Sequence, residues 1–447
     1  MILPEQIIIA LKTLEQHGFE AFVVGGSVRD ALMGVEPKDF DIATNATPGN
    51  LKEVFRKITV IETGIAHGTV TVLIEETPIE ITTFRIDGEY IDKRRPLSVE
   101  FSDSIHEDLA RRDFTINAMA YSSRTGIIDP FDGRNDLENK IIRCVGDPEK
   151  RFEEDALRIL RAVRFAAVLG FGIEASTKAA LMEKSETILS VAIERITSEF
   201  SKMICGHDIG HVLKEYRQLL AVVIPEIEPS FDFNQQNFYH VFDVYTHTCR
   251  VVSNSPPFLV PRLAAFFHDI AKPYCFTKDD KGAGHFYGHQ QQSARMAGEI
   301  MSRMRFDNDT RRKTIDLIEN HDITINPEPK AIKRILNKFS EEFFIDLVAL
   351  KKADVSGQNP ELIGRIEELD RLLEIYIDIV KEDECYSLKK LAINGNDLLE
   401  TGIPRGNKIG IILEDCLHQV MSERIKNTKE DLMEYVKMFY LENKEGI

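Results

Sequence analysis

The stretch VGGSVRDALMGVEPKDFDIAT, residues 24–44, carries residue types suited to phosphate and metal chemistry. Gly25 and Gly26 lack a Cβ, so backbone there can come close to a phosphate chain. Ser27 is placed to cap a helix over SVRDALM, which Gly34 ends. Amides at a helix start attract anions, and Arg29 adds a fixed positive charge one turn in. In DFDIAT the strand period puts Asp39 and Asp41 on one face, about 6–7 Å apart, with Phe40 and Ile42 on the other. Two carboxylates so spaced can grip a pair of metal ions about 3.5–4 Å apart, which hold a triphosphate and activate an attacking hydroxyl. Glu80, between Ile79 and Ile81, offers a third carboxylate from a neighbouring strand.

A second constellation lies in EDALRILRAVR, residues 154–164. Helical spacing aligns Asp155, Arg158 and Arg161 along one stripe, with Arg164 at its edge. A charged stripe is ordinarily a solvated face. It also matches a chemical need. Cytosine and adenine each present an amine donor beside a ring-nitrogen acceptor. A carboxylate accepts from the amine, and a guanidinium donates to the ring nitrogen. Uracil and guanine would turn a carbonyl toward Asp155 and be repelled. A third cluster is His240, His247, His268, His285, His289 and His321, with the doublet His268-Asp269 in the apolar run LAAFFHDIAK. Imidazole and carboxylate ligands suit a catalytic transition metal with open coordination positions.

These residues need two kinds of scaffold. AFVVGG (21–26), DFDIAT (39–44), GTVTVLI (68–74) and IEITTF (79–84) are β-branched or alternating runs broken by Gly and Pro, which predict strands. From about residue 136 the pattern turns helical almost throughout, as in DALRILRAVRFAAVL (155–169), stopped by Gly170. The expected fold class is α+β: a head with a small mixed sheet, then a long helical body. At 447 residues the chain suits several domains. No apolar run nears the roughly 18 residues that cross a bilayer. The N-terminal MILPEQIIIALKTLEQHG reads as an amphipathic helix and not as a signal peptide. Six scattered cysteines without a CxxC pair predict a reduced, cytoplasmic protein. The net charge of −17 argues against indiscriminate polyanion binding. Residues 111–164 nevertheless hold 11 Lys+Arg against 10 Asp+Glu, making that segment the expected contact for nucleic acid.

The motifs GGSVRDALMG, DFDIAT, TGIAHGTVTV (63–72), TTFRIDGEYIDKRRP (82–96), RRDFTINAMA (111–120), DPFDG (129–133), EDALRILRAVRFA and ERI (194–196) together resemble the polymerase-β nucleotidyltransferase superfamily. More closely, they resemble the bacterial class II tRNA nucleotidyltransferases, the CCA-adding enzymes, over nearly the whole chain. The resemblance implies that Asp39 and Asp41 hold Mg²⁺, with Glu80 at the third acidic position. It implies that Gly26, Arg29 and Arg112 contact the incoming nucleotide, and that Asp155 and Arg158 are a protein template, with Arg161 and Arg164 beside them. IDGEYIDKRRP (86–96) resembles the loop that full CCA-adding and A-adding members share. His247, His268, Asp269 and Asp354 resemble the metal ligands of HD-type phosphohydrolases, with His289 and His321 as extra ligands. The implied partners are the tRNA 3′ end, CTP and ATP. The implied domains are a head (1–135), a helical neck and RNA-binding region (136–235), an HD-type metal domain (236–360) and a tRNA-binding tail (361–447). Alternatives are an A-adding enzyme, a poly(A) polymerase, or an HD phosphohydrolase whose head merely binds RNA.

Overall fold

A computed structural model describes residues 1–62, 64–65, 68–87 and 99–441. They form two compact units, Met1–Glu228 and Pro229–Ile447. Most of the loop expected at 86–96 and part of TGIAHGTVTV lie outside the described residues. Among the described residues, no helix is long and apolar enough to cross a membrane.

The first unit opens with α1 (Glu5–Gln16), whose Ile7, Ala10, Leu11 and Leu14 recur at helical spacing and are buried. Next come β1 (Ala21–Val24), α2 (Gly26–Leu32), β2 (Asp41–Thr44), α3 (Pro48–Val54), β3 (Val60–Ile61), β4 (Thr69–Ile74) and β5 (Thr77–Thr83). A ribbon of β6 (Arg85–Asp87) and β7 (Val99–Phe101) precedes α4 (Ile105–Ala110), β8 (Ala120–Ser122) and β9 (Gly126–Ile128). Seven strands make one mixed sheet in the order β3-β4-β5-β2-β1-β8-β9. AFVV lies in the sheet interior between β2 and β8 and is buried on both faces. Ala21 and Val23 pack with α1, Val28 and Leu51, while Phe22 and Val24 pack with Phe84, Leu109 and Ala118. The parallel pairing of β2 with β5 sets Asp41 opposite Glu80. The mixed sheet and the helical remainder are the α+β class that the residue pattern predicts.

Two local expectations fail. Ser27 does not cap α2, because Gly25 at φ 76° turns the chain two residues earlier and becomes the N-cap. Ser27 is therefore inside the helix, donating its hydroxyl to the Val24 carbonyl at 3.1 Å. Nor does Asp39 lie in the strand. The β1–β2 ladder ends at the pair Val24–Asp41, since the chain turns away at Gly25, so Asp39 precedes β2.

Helices fill the rest of the unit: α5 (Gly133–Glu138), α6 (Pro148–Glu154), α7 (Leu157–Leu169), α8 (Ala175–Glu183), α9 (Ile193–Ile204), α10 (Ile209–Glu215) and α11 (Arg217–Val223). Here a third expectation is corrected. Asp155 is not on a helix with Arg158, because it is extended (φ −143°, ψ 102°) between α6 and α7. Its own carboxylate makes the break, accepting from the Leu157 amide at 3.1 Å in competition with helical pairing. Arg158, Arg161 and Arg164 do lie on α7, which ends at Gly170 in the left-handed region as expected.

The second unit is almost wholly helical. It runs through α12 (Val244–Asn254), α13 (Leu259–Phe267), α14 (His289–Arg303), α15 (Asn308–Asn320), α16 (Pro329–Lys338) and α17 (Glu341–Gly357). Then come α18 (Arg365–Lys381), α19 (Gly395–Glu400), α20 (Asn407–Met421) and α21 (Lys429–Val436). An apolar core from Ile332 to Val436 joins its C-terminal helices.

Candidate active site

A cleft of about 520 Å³ in the first unit gathers Gly25, Gly26, Arg29, Asp41, Arg112, Asp155, Arg158, Arg161 and Arg164. Seven arginines and three aspartates line it, a local positive excess in an acidic protein. Such a cleft suits a polyphosphate. Asp39 and Glu80 are not among its lining residues. Both are exposed, Asp39 two residues ahead of Asp41 and Glu80 opposite it on β5.

Asp41 is likewise exposed, at the first position of β2, but the surrounding protein still displaces part of the water around its carboxylate. Burial raises its carboxyl above the usual carboxylate range; Arg112 opposes the shift and the Asp39 charge adds to it. Asp41, with Asp39 two residues ahead and Glu80 in register on β5, offers oxygen ligands of the kind a divalent cation takes. Gly25 rather than Gly26 carries the backbone constraint. A Cβ on Gly25 would stand 2.8 Å from Arg112 Nη1, whereas one on Gly26 meets nothing nearer than 3.5 Å.

Asp155 and Arg158 reach the cleft from separate anchors. Asp155 Oδ2 accepts from Arg195 Nη2 at 2.8 Å, and Arg195 comes from ERI at the start of α9. Arg158 donates to Glu154, to the Arg151 carbonyl at 3.1 Å and to the Arg111 carbonyl at 3.0 Å. Both groups are held before any ligand arrives, which preorganises them. Arg164 pairs with Glu199, and its guanidinium lies 3.8 Å from the Phe165 ring centre.

Arg161 pairs with Asp113 Oδ2 through Nε (2.8 Å) and Nη2 (2.6 Å). Burial alone would raise the Asp113 carboxyl, but Arg161 and Asn117 outweigh it and hold it at about 2. A depressed folded value stabilises the protein above the unfolded value of 3.8, and that stability is lost as pH falls through about 2. Asp113→Asn should therefore cost roughly 2 kcal/mol at neutral pH and flatten the acid limb below pH 4. Urea unfolding at a series of pH values checks both. Asp113, Asn117, Arg195, Glu199 and Phe165 had no role assigned from sequence. The charged run RRD and the motif ERI were visible, but Asp113 and Arg195 find their partners 48 and 40 residues away.

The second unit brings His247 of α12, His268 and Asp269 just past α13, and Asp354 of α17 to one buried point. His247 Nε2 is 3.1 Å from Asp354, 3.4 Å from Asp269 and 3.3 Å from His268 Nε2. His289 and His321 meet Asp269 from the other side. Both Asp269 oxygens are buried without a hydrogen bond of good geometry, although His247, His268, His289 and Lys272 ring them at 2.6–3.4 Å. Donors crowd that carboxylate as ligands crowd a point, so the set fits a metal ion. A cavity of about 470 Å³ opens beside it, lined in part by His240, Lys272, Tyr287 and His289.

Residues 21–143 match the poly(A) polymerase head domain, 170–231 an RNA- and SrmB-binding site of polymerase A, and 286–436 tRNA nucleotidyltransferase domain 2. The sheet and its arginine-lined cleft thus form a nucleotidyltransferase head. Relatives cover the remainder of the chain as well. It is 36% identical to a CCA-adding enzyme of Lactobacillus johnsonii over 440 residues, 98% of either chain. It is 34% identical to that of Lactobacillus helveticus over 426 residues, 95% of either chain. The crystal structure of the Bacillus stearothermophilus CCA-adding enzyme in complex with CTP is similar at 28% identity and a TM-score of 0.66, covering 98% of this chain and 99% of that one. The chain belongs to the CCA-adding enzyme family.

Proposed function

We propose that this protein adds C, C and A in turn to the 3′ end of tRNA from CTP and ATP, without a nucleic-acid template. The observation that carries the reading is the single cleft that joins Asp41 and the phosphate-facing Arg29 and Arg112 to the pair Asp155 and Arg158. Asp39 and Asp41, with Glu80 beside them, would hold Mg²⁺. Bound metal would neutralise the triphosphate and activate the tRNA 3′-hydroxyl. Gly25 lets the backbone pass close beneath Arg112, and Arg29 and Arg112 grip the phosphates. Asp155 accepts from the exocyclic amine of C or A while Arg158 donates to the ring nitrogen. Arg195 orients Asp155, and Glu154 orients Arg158. Similarity to an enzyme solved with CTP supports the nucleotide assignment. We read the chain as a cytoplasmic protein with a head (1–135), neck (136–235), metal domain (236–360) and tail (361–447).

The test offers the purified protein a tRNA lacking CCA and another ending in CC, with each nucleotide separately. The proposal expects C additions to the first and a single A on the second. A on the second tRNA alone indicates an A-adding enzyme, and long runs of A indicate a poly(A) polymerase.

The buried histidine–aspartate centre favours a second reading, a metal-dependent phosphohydrolase activity in the same chain. His247, His268, Asp269 and Asp354 would hold a transition metal, with His289 and His321 positioned for a further ion. Replacing His268 and Asp269 with alanine should remove bound metal, read by elemental analysis, and any phosphohydrolase activity. Nucleotide addition should be unchanged. A wild type that neither retains a transition metal nor hydrolyses phosphate esters counts against this reading.

A further inference from the structure

We propose that Asn117 is a positioning residue that makes the grip on the nucleotide's phosphates and the reading of its base a single rigid unit. The inference rests on the nucleotidyl-transfer reading above. Asn117 ends a short 3₁₀ turn, Thr115–Asn117, and is buried at 6% exposure. Its Oδ1 accepts from Arg29 Nη1 at 2.7 Å, and its Nδ2 donates to Asp113 Oδ1 at 3.2 Å. The other Asp113 oxygen accepts from Nε and Nη2 of Arg161. A continuous relay therefore runs from the phosphate-facing Arg29 on α2 to Arg161 on α7, one turn beyond Arg158.

The chemistry of each link demands an amide at 117. The residue must accept from a guanidinium at one end and donate to a carboxylate at the other. An amide does both and carries no charge; a carboxylate would face Asp113 with repulsion, and an aliphatic chain would strand both neighbours. Arg29 has little freedom elsewhere. Its Nε donates to Asp30 at 2.8 Å, and its guanidinium carbon lies 5.2 Å from the Phe165 ring centre on α7. In a buried network each member depends on the others being in place, so displacing Asn117 displaces both ends.

Two variants separate the ends. Asn117→Asp keeps the acceptor for Arg29 and loses the donor to Asp113. Asn117→Leu, of similar branched shape, loses both. Equilibrium binding of CTP and UTP to the full chain is measured by calorimetry, alongside KM and kcat on tRNA lacking CCA, with thermal melting as a fold control. Asn117→Leu should weaken CTP binding about tenfold and lower the preference for CTP over UTP. Asn117→Asp should keep CTP affinity within about threefold while the preference falls. If both variants lower kcat alike for every nucleotide and leave the CTP-over-UTP preference at its wild-type value, Asn117 is only a structural brace and the proposal is overturned. Should the leucine variant fail to fold, the aspartate variant alone decides by the same split. If the wild type binds CTP with the expected split in its variants but transfers nothing, the relay stands and the transfer reading fails. Absence of CTP binding by the wild type overturns both.

Discussion

Replacing Asp41 with alanine is expected to abolish incorporation of C and A together, by about a thousandfold or more. Asp41 is the first residue of β2, faces Glu80 across a parallel pair, and contributes nothing to the apolar core on either side of the sheet. Its removal should leave the melting temperature close to the wild-type value. Burial and the neighbouring Asp39 charge make the carboxyl costly to ionise where it stands, so its removal should not cost stability at neutral pH. Asp39→Ala should behave alike. Extension assays on tRNA lacking CCA and on tRNA ending in CC read the two additions separately. Survival of either one in a folded Asp41→Ala variant would show that C and A are not added at one shared metal site.

Asp155→Ala tests the claim that side chains replace a template. Removing the carboxylate deletes both its attraction for an amine and its repulsion of a carbonyl. The ratio of kcat/KM for CTP over UTP should fall about ten- to a hundredfold, the worth of one bidentate base contact. Metal and phosphate contacts should persist, since Asp155 touches Arg195 and the start of α7 but not Arg29 or Arg112. The ratio is the quantity to follow, because freeing Arg195 lowers absolute rates as well. A C-over-U ratio equal to that of the wild type would show that Asp155 does not read the base.

Where one local rule governs, the sequence was a good guide. The run AFVVGG reads as a buried strand into a turn, and the alternation IEI places Glu80 outward on a strand. Gly170 ends α7 as a glycine in the left-handed region should. The helical stripe was harder. Residues 149–169 are mostly helix formers, so the 3.6 periodicity runs straight across the break at which the Asp155 carboxylate accepts from the Leu157 amide. An aspartate two residues ahead of a helix start is itself a capping signal, overruled here by the stronger pattern around it. The partners of the site residues were not legible. Arg195 with Asp155, and Arg161 with Asp113, join segments that only tertiary packing brings together, and no local spacing encodes such pairs. Histidine clustering did foreshadow a common locus in the second unit, because several imidazoles on apolar helices must find shared polar company when buried.

The turn at Gly25 has a stereochemical consequence. Its φ of 76° and ψ of −131° are the mirror image of an extended L-residue, so the backbone at this point is shaped for the opposite hand. A side chain of natural chirality would meet strain in the main chain and the Arg112 guanidinium in space. Glycine, being achiral, is the only genetically encoded residue that can present both hands. The cleft floor thus contains one position where handedness itself is selected. Chemical ligation of a D-residue there would suit the main chain better than any L-substitution the genetic code allows.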